Sequence, residues 1–262
     1  MARILITGGS GGIGFELARS FIKRKHDVII SGANEERLCA AKEQLEKEFS
    51  CTVNAFLQDL SLPGGPKALY DQVNQAGLRV DILVNNAGMG LLDASEQIDF
   101  EADEKLMRLN MIAPVQLCKL YLPEMYRRGS GKILNLSSVA AFQPGPYQST
   151  YFASKAFVLS YSRAIRYEAK NRGVQVCVLC PGTTKTQFFI KEGIETPRMA
   201  VSPEAVAEFA CRKLMQNKAV IVPGIMNRLS RIVPAGVKIP FVAIMRELRK
   251  RYAAKNGSAI RG

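Results

Sequence analysis

The sequence predicts an α/β fold: a doubly wound, mostly parallel seven-stranded sheet with helices on both faces and a C-terminal helical extension. Three observations predict it. Strand-like apolar runs alternate with helical stretches along the 262 residues, and parallel neighbours need such right-handed crossovers. Several runs are apolar on both faces, as strands buried from both sides must be. The first run passes directly into a glycine-rich turn that opens a helix.

Strand-like runs lie at Arg3–Ile6, Asp27–Ser31, Val53–Leu57, Val80–Val84, Lys132–Leu136, Val174–Leu179 and Ala219–Val222. Helical patterns fill the intervals at Ile13–Lys25, Glu35–Phe49, Gly65–Ala76, Asp103–Arg127, Thr150–Asn171 and Pro203–Gln216. Ser202-Pro203-Glu204 is a strong helix start, with a capping serine and proline in the first helical position. No repeat or low-complexity linker divides the chain, so we expect one domain over residues 1–222, followed by an extension over residues 223–262.

Composition is that of a soluble globule, with 47% hydrophobic and 23% charged residues. No run approaches the ~18 apolar residues of a membrane span. The N-terminal residues run straight into a strand, so no targeting segment is expected and a cytoplasmic setting fits. Six scattered cysteines suit buried thiols in a reducing compartment. Cys177 and Cys180 form a CxxC, but residues three apart on a strand face opposite ways, and the only histidine is His26. No metal site is expected. The net charge of +13 is concentrated in the extension, where nine Lys/Arg face a single acid. Basicity alone carries no nucleic-acid recognition motif, so no nucleic-acid partner is expected.

The chemistry-bearing residues fall at the ends of strands. Thr7-Gly8-Gly9-Ser10-Gly11-Gly12-Ile13-Gly14 joins the first strand to the first helix. Such glycines let backbone approach a pyrophosphate, and the helix N-terminus offers amides and a positive dipole. Their spacing, G-x-x-x-G-x-G, differs from G-x-G-x-x-G. Tyr151 and Lys155 are four apart on a helical pattern and therefore neighbours on one face. A free tyrosine titrates near ~10, and an ammonium beside it favours the phenolate. Tyr151 can then give a proton to a carbonyl oxygen or take one from an alcohol. Ser138 can hydrogen-bond the same oxygen. Taken singly, each has a plainer reading: Tyr151 an amphipathic-helix residue, Ser138 a turn hydroxyl, Lys155 a surface charge, and Asn110 a helix-bending residue beside Pro114.

Together, in order, these motifs resemble the short-chain dehydrogenase/reductase family. Asp59-Leu60 follows the third strand and Asn85-Asn86-Ala87-Gly88 the fourth. Ser138 precedes Tyr151 by thirteen residues, Tyr151-Phe152-Ala153-Ser154-Lys155 matches Y-x-x-x-K, and Pro181-Gly182 follows the sixth strand. The resemblance covers roughly residues 2–222 and implies a Rossmann-like sheet and a carbonyl/alcohol oxidoreductase. It implies Tyr151, Lys155, Ser138 and Asn110 as catalytic residues, with Asn110 anchoring a water that relays protons to Lys155. It also implies dinucleotide contacts from Gly8, Ser10, Gly12, Ile13, Gly14, Asp59, Leu60, Asn86, Ala87, Gly88, Tyr151, Lys155, Pro181, Gly182, Thr184 and Thr186, and a homo-oligomer, dimer or tetramer. A nicotinamide-binding sensor that does no chemistry is the competing class, and the intact catalytic set argues against it.

An acid after the second strand would bind a ribose 2′-hydroxyl and repel a 2′-phosphate. Here Ile30-Ser31-Gly32-Ala33-Asn34 holds none, which favours NADP(H) over NAD(H). NAD(H) stays open, because Ala33 and Gly11 stand where NADP-using relatives often carry basic residues. Ser31, Asn34 and Arg37 are the remaining candidate phosphate contacts. The resemblance also implies a substrate pocket built after the fifth strand and after Pro181-Gly182, where Val139, Ala140, Phe142, Phe188, Phe189, Ile190 and Met199 would suit an apolar substrate such as a steroid, acyl chain or ketone.

A helix is expected from Pro240 through Tyr252. It would carry Phe241, Ile244, Met245, Leu248 and Tyr252 on one face, Arg246 and Lys250 opposite, and Arg249 and Arg251 at the flanks. Two readings stand. The apolar face covers the cleft or a subunit, with the basic face solvated, or the helix lies peripherally on a membrane.

Overall fold

A computed structural model describes residues 1–186, 200–229 and 235–255. Seven strands form one sheet: β1 (Arg3–Thr7), β2 (Asp27–Gly32), β3 (Asn54–Leu57), β4 (Ile82–Asn85), β5 (Gly131–Leu136), β6 (Val174–Leu179) and β7 (Val220–Ile221). Their order is β3-β2-β1-β4-β5-β6-β7. Every pairing is parallel, so the sheet is more uniform than the mostly parallel one expected.

The alternation of side chains along each strand builds two cores. Ile4, Ile6, Val28, Ile30, Val84, Leu134 and Cys177 face one way, toward α1 (Gly12–Lys23), α2 (Glu35–Phe49) and α7 (Pro203–Met215). Leu5, Ile29, Leu83, Ile133 and Val176 face the other, toward α3 (Gly65–Gln75), α5 (Ala113–Arg128) and α6 (Ser149–Ala169). Each such side chain contributes about 1.5–3 kcal/mol on burial, so a one-residue slip of a strand would exchange its two faces wholesale. Cys177 belongs to the first core and Cys180 to a separate cluster with Leu159, Val178 and Val222. Both thiols are buried, and neither is in a disulfide. Burial pushes Cys177 up to about 11, away from thiolate chemistry.

Local signals set the helix starts. Asn34 Oδ1 accepts the Arg37 amide at 2.9 Å to cap α2, and Ser202 Oγ accepts the Ala205 amide at 3.2 Å to cap α7. The continuous helix expected over Asp103–Arg127 is instead two. The first, α4 (Phe100–Met107), and α5 are joined by a π-helical turn over Arg108–Ile112. Pro114 is the physical reason: it lacks the amide that would bond the Asn110 carbonyl in a regular helix.

After β7 come α8 (Ile225–Leu229) and α9 (Ala235–Lys255). The last helix starts five residues earlier than expected, with Pro240 inside it, where the missing amide affects only the first-turn carbonyl of Gly236. Its orientation speaks against the reading in which the apolar face covers the cleft. Phe241, Ile244 and Leu248 are 66%, 59% and 57% exposed. The packed side carries Val242, buried against Ala140 and Phe152. It also carries Lys238, whose Nζ donates to the Phe142 carbonyl at 2.9 Å, and Arg246, whose guanidinium lies 5.4 Å from the Phe152 ring centre. The basic residues can pack inward because a carbonyl and an aromatic face receive their charges. The side chains of Arg249, Lys250 and Tyr252 lie outside the described residues.

Candidate active site at the reversal of strand order

The strand order reverses between β1, which pairs with β2, and β4. Ligands of open α/β sheets bind in the crevice beyond the strand ends at such a point, and the candidate residues converge there.

The glycine turn is built for close backbone approach. Gly8 has φ +64°, and a Cβ there would lie 3.0 Å from both the Ala87 Cα and Asn86 Nδ2. A Cβ on Gly14 would lie 2.3 Å from the Gly8 carbonyl oxygen, a contact no side chain tolerates. Thr7 and Asn86 hold the turn in place. Thr7 Oγ1 accepts the amides of Asn86 and Ala87, both at 3.0 Å. Asn86 Nδ2 donates to the carbonyls of Thr7 at 2.9 Å and Gly8 at 3.1 Å. Gly11 caps α1 with no side-chain hydrogen bond and no acid follows in the first turn, so the helix's own first turn does not compete for its anion-binding end, where Gly12, Ile13 and Gly14 stand. Thr186 crosses from the far wall to the turn: a Cβ on Gly12 would meet its methyl at 3.2 Å. This shape fits a dinucleotide pyrophosphate.

Other expected contacts are placed unevenly. Asp59 Oδ1 accepts both the amide and the hydroxyl of Ser61, at 2.8 and 2.6 Å, and Leu60 is buried in the core beside it. Thr184 is buried, and its hydroxyl donates to the Gly182 carbonyl at 3.0 Å. Ser31 is buried, and its Oγ has no hydrogen-bond partner among the described residues. Arg37 is exposed and better placed than Ser31 to meet a phosphate from solvent. Beside them, a Cβ on Gly32 would come 3.1 Å from Ser10 Oγ.

Tyr151 and Lys155 are the candidate acid/base residues. They share one face of α6, with Lys155 Nζ 5.6 Å from the Tyr151 ring centre. Lys155 is buried, and Nζ donates to the Leu136 carbonyl at 3.3 Å. Burial holds its ammonium down to about 8, so near neutrality it remains largely charged but poised to release a proton. A Cβ on Gly88 would touch both Asn110 Oδ1, at 3.1 Å, and Lys155 Nζ, at 3.3 Å. Gly88 therefore lets these two groups approach each other. Asn110 sits in the π turn. Its Oδ1 accepts the Met89 amide at 3.0 Å, and its Nδ2 donates to the Met89 carbonyl at 2.9 Å and to Ser154 Oγ at 3.1 Å. Ser154 Oγ in turn donates to the Tyr151 carbonyl at 2.7 Å. A continuous chain thus ties Met89, Asn110, Ser154 and Tyr151.

Ser138 caps a single turn of 3-10 helix over Val139–Phe142, its Oγ accepting the Ala140 amide at 3.1 Å. That leaves its hydroxyl proton to be donated elsewhere. Ser137 beside it donates to the Lys155 carbonyl at 2.6 Å, and the Val139 amide donates to the Pro181 carbonyl at 3.0 Å. The strand-end segments are therefore laced together. Three of the residues expected to line an apolar pocket are described. Ala140 is packed under Phe152 and Val242, and Val139 and Phe142 lean on the cluster around Leu159. Phe188, Phe189, Ile190 and Met199 lie outside the described residues.

Sequence reasoning missed Thr7, Ser137, Ser154 and Asn227. The first three flank motif residues directly, so adjacency was the available signal. Asn227 had none: it lies in α8, and a Cβ on Gly182 would meet its Nδ2 at 2.4 Å.

The sheet, the glycine cradle and the buried lysine beside a tyrosine together define an α/β protein with a candidate dinucleotide site. The family model described as short chain dehydrogenase matches residues 2–195, and the chain belongs to that family. It is 27% identical to the very-long-chain 3-oxoacyl-CoA reductase of Rattus norvegicus, over 96% of this chain and 82% of that one. Among solved structures it is similar to a short-chain dehydrogenase from Sphingobium yanoikuyae in complex with NADPH, at 28% identity and TM-score 0.81, covering 100% and 99% of the two chains. It is also similar to the L-sorbose reductase of Gluconobacter frateurii complexed with NADPH and L-sorbose, at 26% identity and TM-score 0.76, covering 84% and 93%.

Proposed function

We propose that this chain is an NADP(H)-dependent oxidoreductase that interconverts a carbonyl and a secondary alcohol on an apolar substrate. The observation that carries the proposal is the buried Lys155, set 5.6 Å from the Tyr151 ring at the reversal of strand order. When bound, the dinucleotide supplies or accepts the hydride. Gly8, Ser10, Gly12, Ile13 and Gly14 would hold its pyrophosphate, and Asp59, Leu60, Asn86, Ala87 and Gly88 the adenosine side and the crevice floor. Pro181, Gly182, Thr184 and Thr186 would close the nicotinamide side.

Tyr151 gives its phenolic proton to the carbonyl oxygen in reduction and takes one back in oxidation. Lys155 favours the phenolate through its charge, which acts strongly because its ammonium is buried. Its position also suits a hydrogen bond to the nicotinamide ribose. Ser138 donates to the substrate oxygen. Asn110 holds the segment at Met89 and the base of Tyr151 in register, and its carbonyl, which lacks the regular i+4 partner at Pro114, suits a water that returns protons to Lys155.

NADP(H) is favoured because the segment Ser31–Asn34 holds no acid and Arg37 is exposed beside it. Two similar structures are NADPH complexes. Val139 and Phe142 support an apolar substrate, and we expect the enzyme to work as a homo-oligomer, as the family resemblance implies. The test is a panel of ketones and alcohols offered with NADPH, NADH and their oxidised forms, run beside Tyr151→Phe. Reduction of bulky ketones with NADPH by the wild type, lost in the variant, is expected. Undiminished turnover in a folded variant would overturn the assignment.

A further inference from the structure

The last helix presents its apolar side to solvent. Val237, Phe241, Ile244 and Leu248 are 67%, 66%, 59% and 57% exposed. At about 100° per residue they form one stripe along α9. The same extension exposes Ile225 and Met226 on α8, at 74% and 76%. Large apolar side chains lined up in this way mark an interaction surface rather than chance exposure. The helix is not waiting to fold onto the body, because its other side already does so through Lys238, Val242 and Arg246.

Charge selects the occupant. Residues 223–262 carry nine Lys/Arg and one acid; Lys238 and Arg246 turn to the body, and the other seven against the one acid still leave the tail a net of +6. Two such tails brought face to face would repel each other, which disfavours a second copy of the chain. An anionic lipid surface attracts them, and it accepts an apolar stripe at the boundary between headgroups and acyl chains. No described helix is long and apolar enough to cross a membrane, so the helix would lie in the interface.

We propose that α9 docks the protein on anionic lipid bilayers, with Phe241, Ile244 and Leu248 entering the interface. The consequence for the site is direct. Val242, on the same helix, packs against Ala140 and Phe152 next to Tyr151, and Asn227 of α8 abuts Gly182. Docking places the mouth of the cleft at the bilayer surface, where apolar molecules partition. The proposal concerns the tail and does not depend on the reaction assigned above.

The experiment uses the full chain with phosphatidylcholine vesicles, with and without phosphatidylserine, at low and high salt. Co-sedimentation is measured for the wild type and for the double variant Phe241→Asp/Ile244→Asp. Both substitutions are at exposed positions, so NADPH binding and the thermal midpoint should not change, which separates this test from that of the reaction. The wild type should bind phosphatidylserine vesicles at low salt and lose binding as salt rises. The double variant should bind on the order of tenfold more weakly or worse. Failure of the wild type to bind at low salt, or equal binding by the variant, overturns the proposal. So does a wild-type dimer in sedimentation velocity that the variant dissociates, which would make this face a contact between two copies.

Discussion

Replacing Lys155 with methionine should stabilise the ligand-free protein while abolishing its turnover. The side chain is buried, and its burial holds the ammonium near 8 where an unfolded lysine titrates at 10.5. Between those two values the unfolded chain binds more protons at this position than the native one, so native stability rises with pH there. Below pH 8 the cost of keeping the charge buried is complete, and at about 1.4 kcal/mol per tenfold change it comes to about 3 kcal/mol. Methionine has a similar shape and removes that cost. It also removes the hydrogen bond to the Leu136 carbonyl, worth about 1 kcal/mol. The net expectation near neutrality is a gain of about 2 kcal/mol, or a midpoint higher by roughly 4–8 °C. Thermal unfolding of wild type and variant from pH 7 to 10.5 is the assay. The gap should narrow steadily as pH climbs from 8 toward 10.5. A variant less stable than the wild type at pH 7, or a gap that does not respond to pH, would refute the reasoning and show that the native fold compensates the buried charge.

Three further outcomes are expected. Tyr151→Phe removes only the proton-transferring oxygen, so kcat should fall by about 10²–10⁴ while NADPH titration by fluorescence stays close to wild type. Gly14→Ala places a methyl 2.3 Å from the Gly8 carbonyl oxygen; it should cost about 1–3 kcal/mol in thermal unfolding and weaken NADPH binding, and unchanged binding would mean the turn is not the pyrophosphate site. Gly32→Asp introduces an acid where the β-carbon needs only Ser10 to give by a few tenths of an ångström; it should reverse the order of NADPH and NADH affinities, and a wild type that already binds NADH more tightly would remove the basis for the cofactor assignment.

The strands were legible because burial on both faces demands long β-branched and aliphatic runs, and Leu5, Ile29, Leu83 and Ile133 show the result at 0% exposure. The site was legible because its chemistry restricts residue type: only glycine fits at position 14, and the tyrosine and lysine must share a helix face. What stayed hidden were relations across the chain. The π turn at Asn110 needed Pro114 to be read as removing one particular acceptor's partner rather than as a mild bend. Ser154 looked like filler within Y-x-x-x-K, yet it joins Asn110 to Tyr151. The tail was left with two readings for a different reason. A helical wheel shows which residues share a face but not which face meets the body, and here Lys238 and Arg246 find a carbonyl and an aromatic ring while Phe241 is left outside.

The account rests on hydride reaching a carbonyl whose oxygen is protonated by Tyr151, and isotope transfer tests that most directly. The enzyme is mixed in single turnover with NADPH deuterated at both positions of nicotinamide C4 and with a bulky apolar ketone, and the alcohol is analysed by mass spectrometry. Wild type should place one deuterium on the carbinol carbon, while Tyr151→Phe, shown by fluorescence to hold NADPH, should place almost none in the same time. Equal transfer by the variant, or no transfer by the wild type to any ketone of a broad panel, would contradict the account.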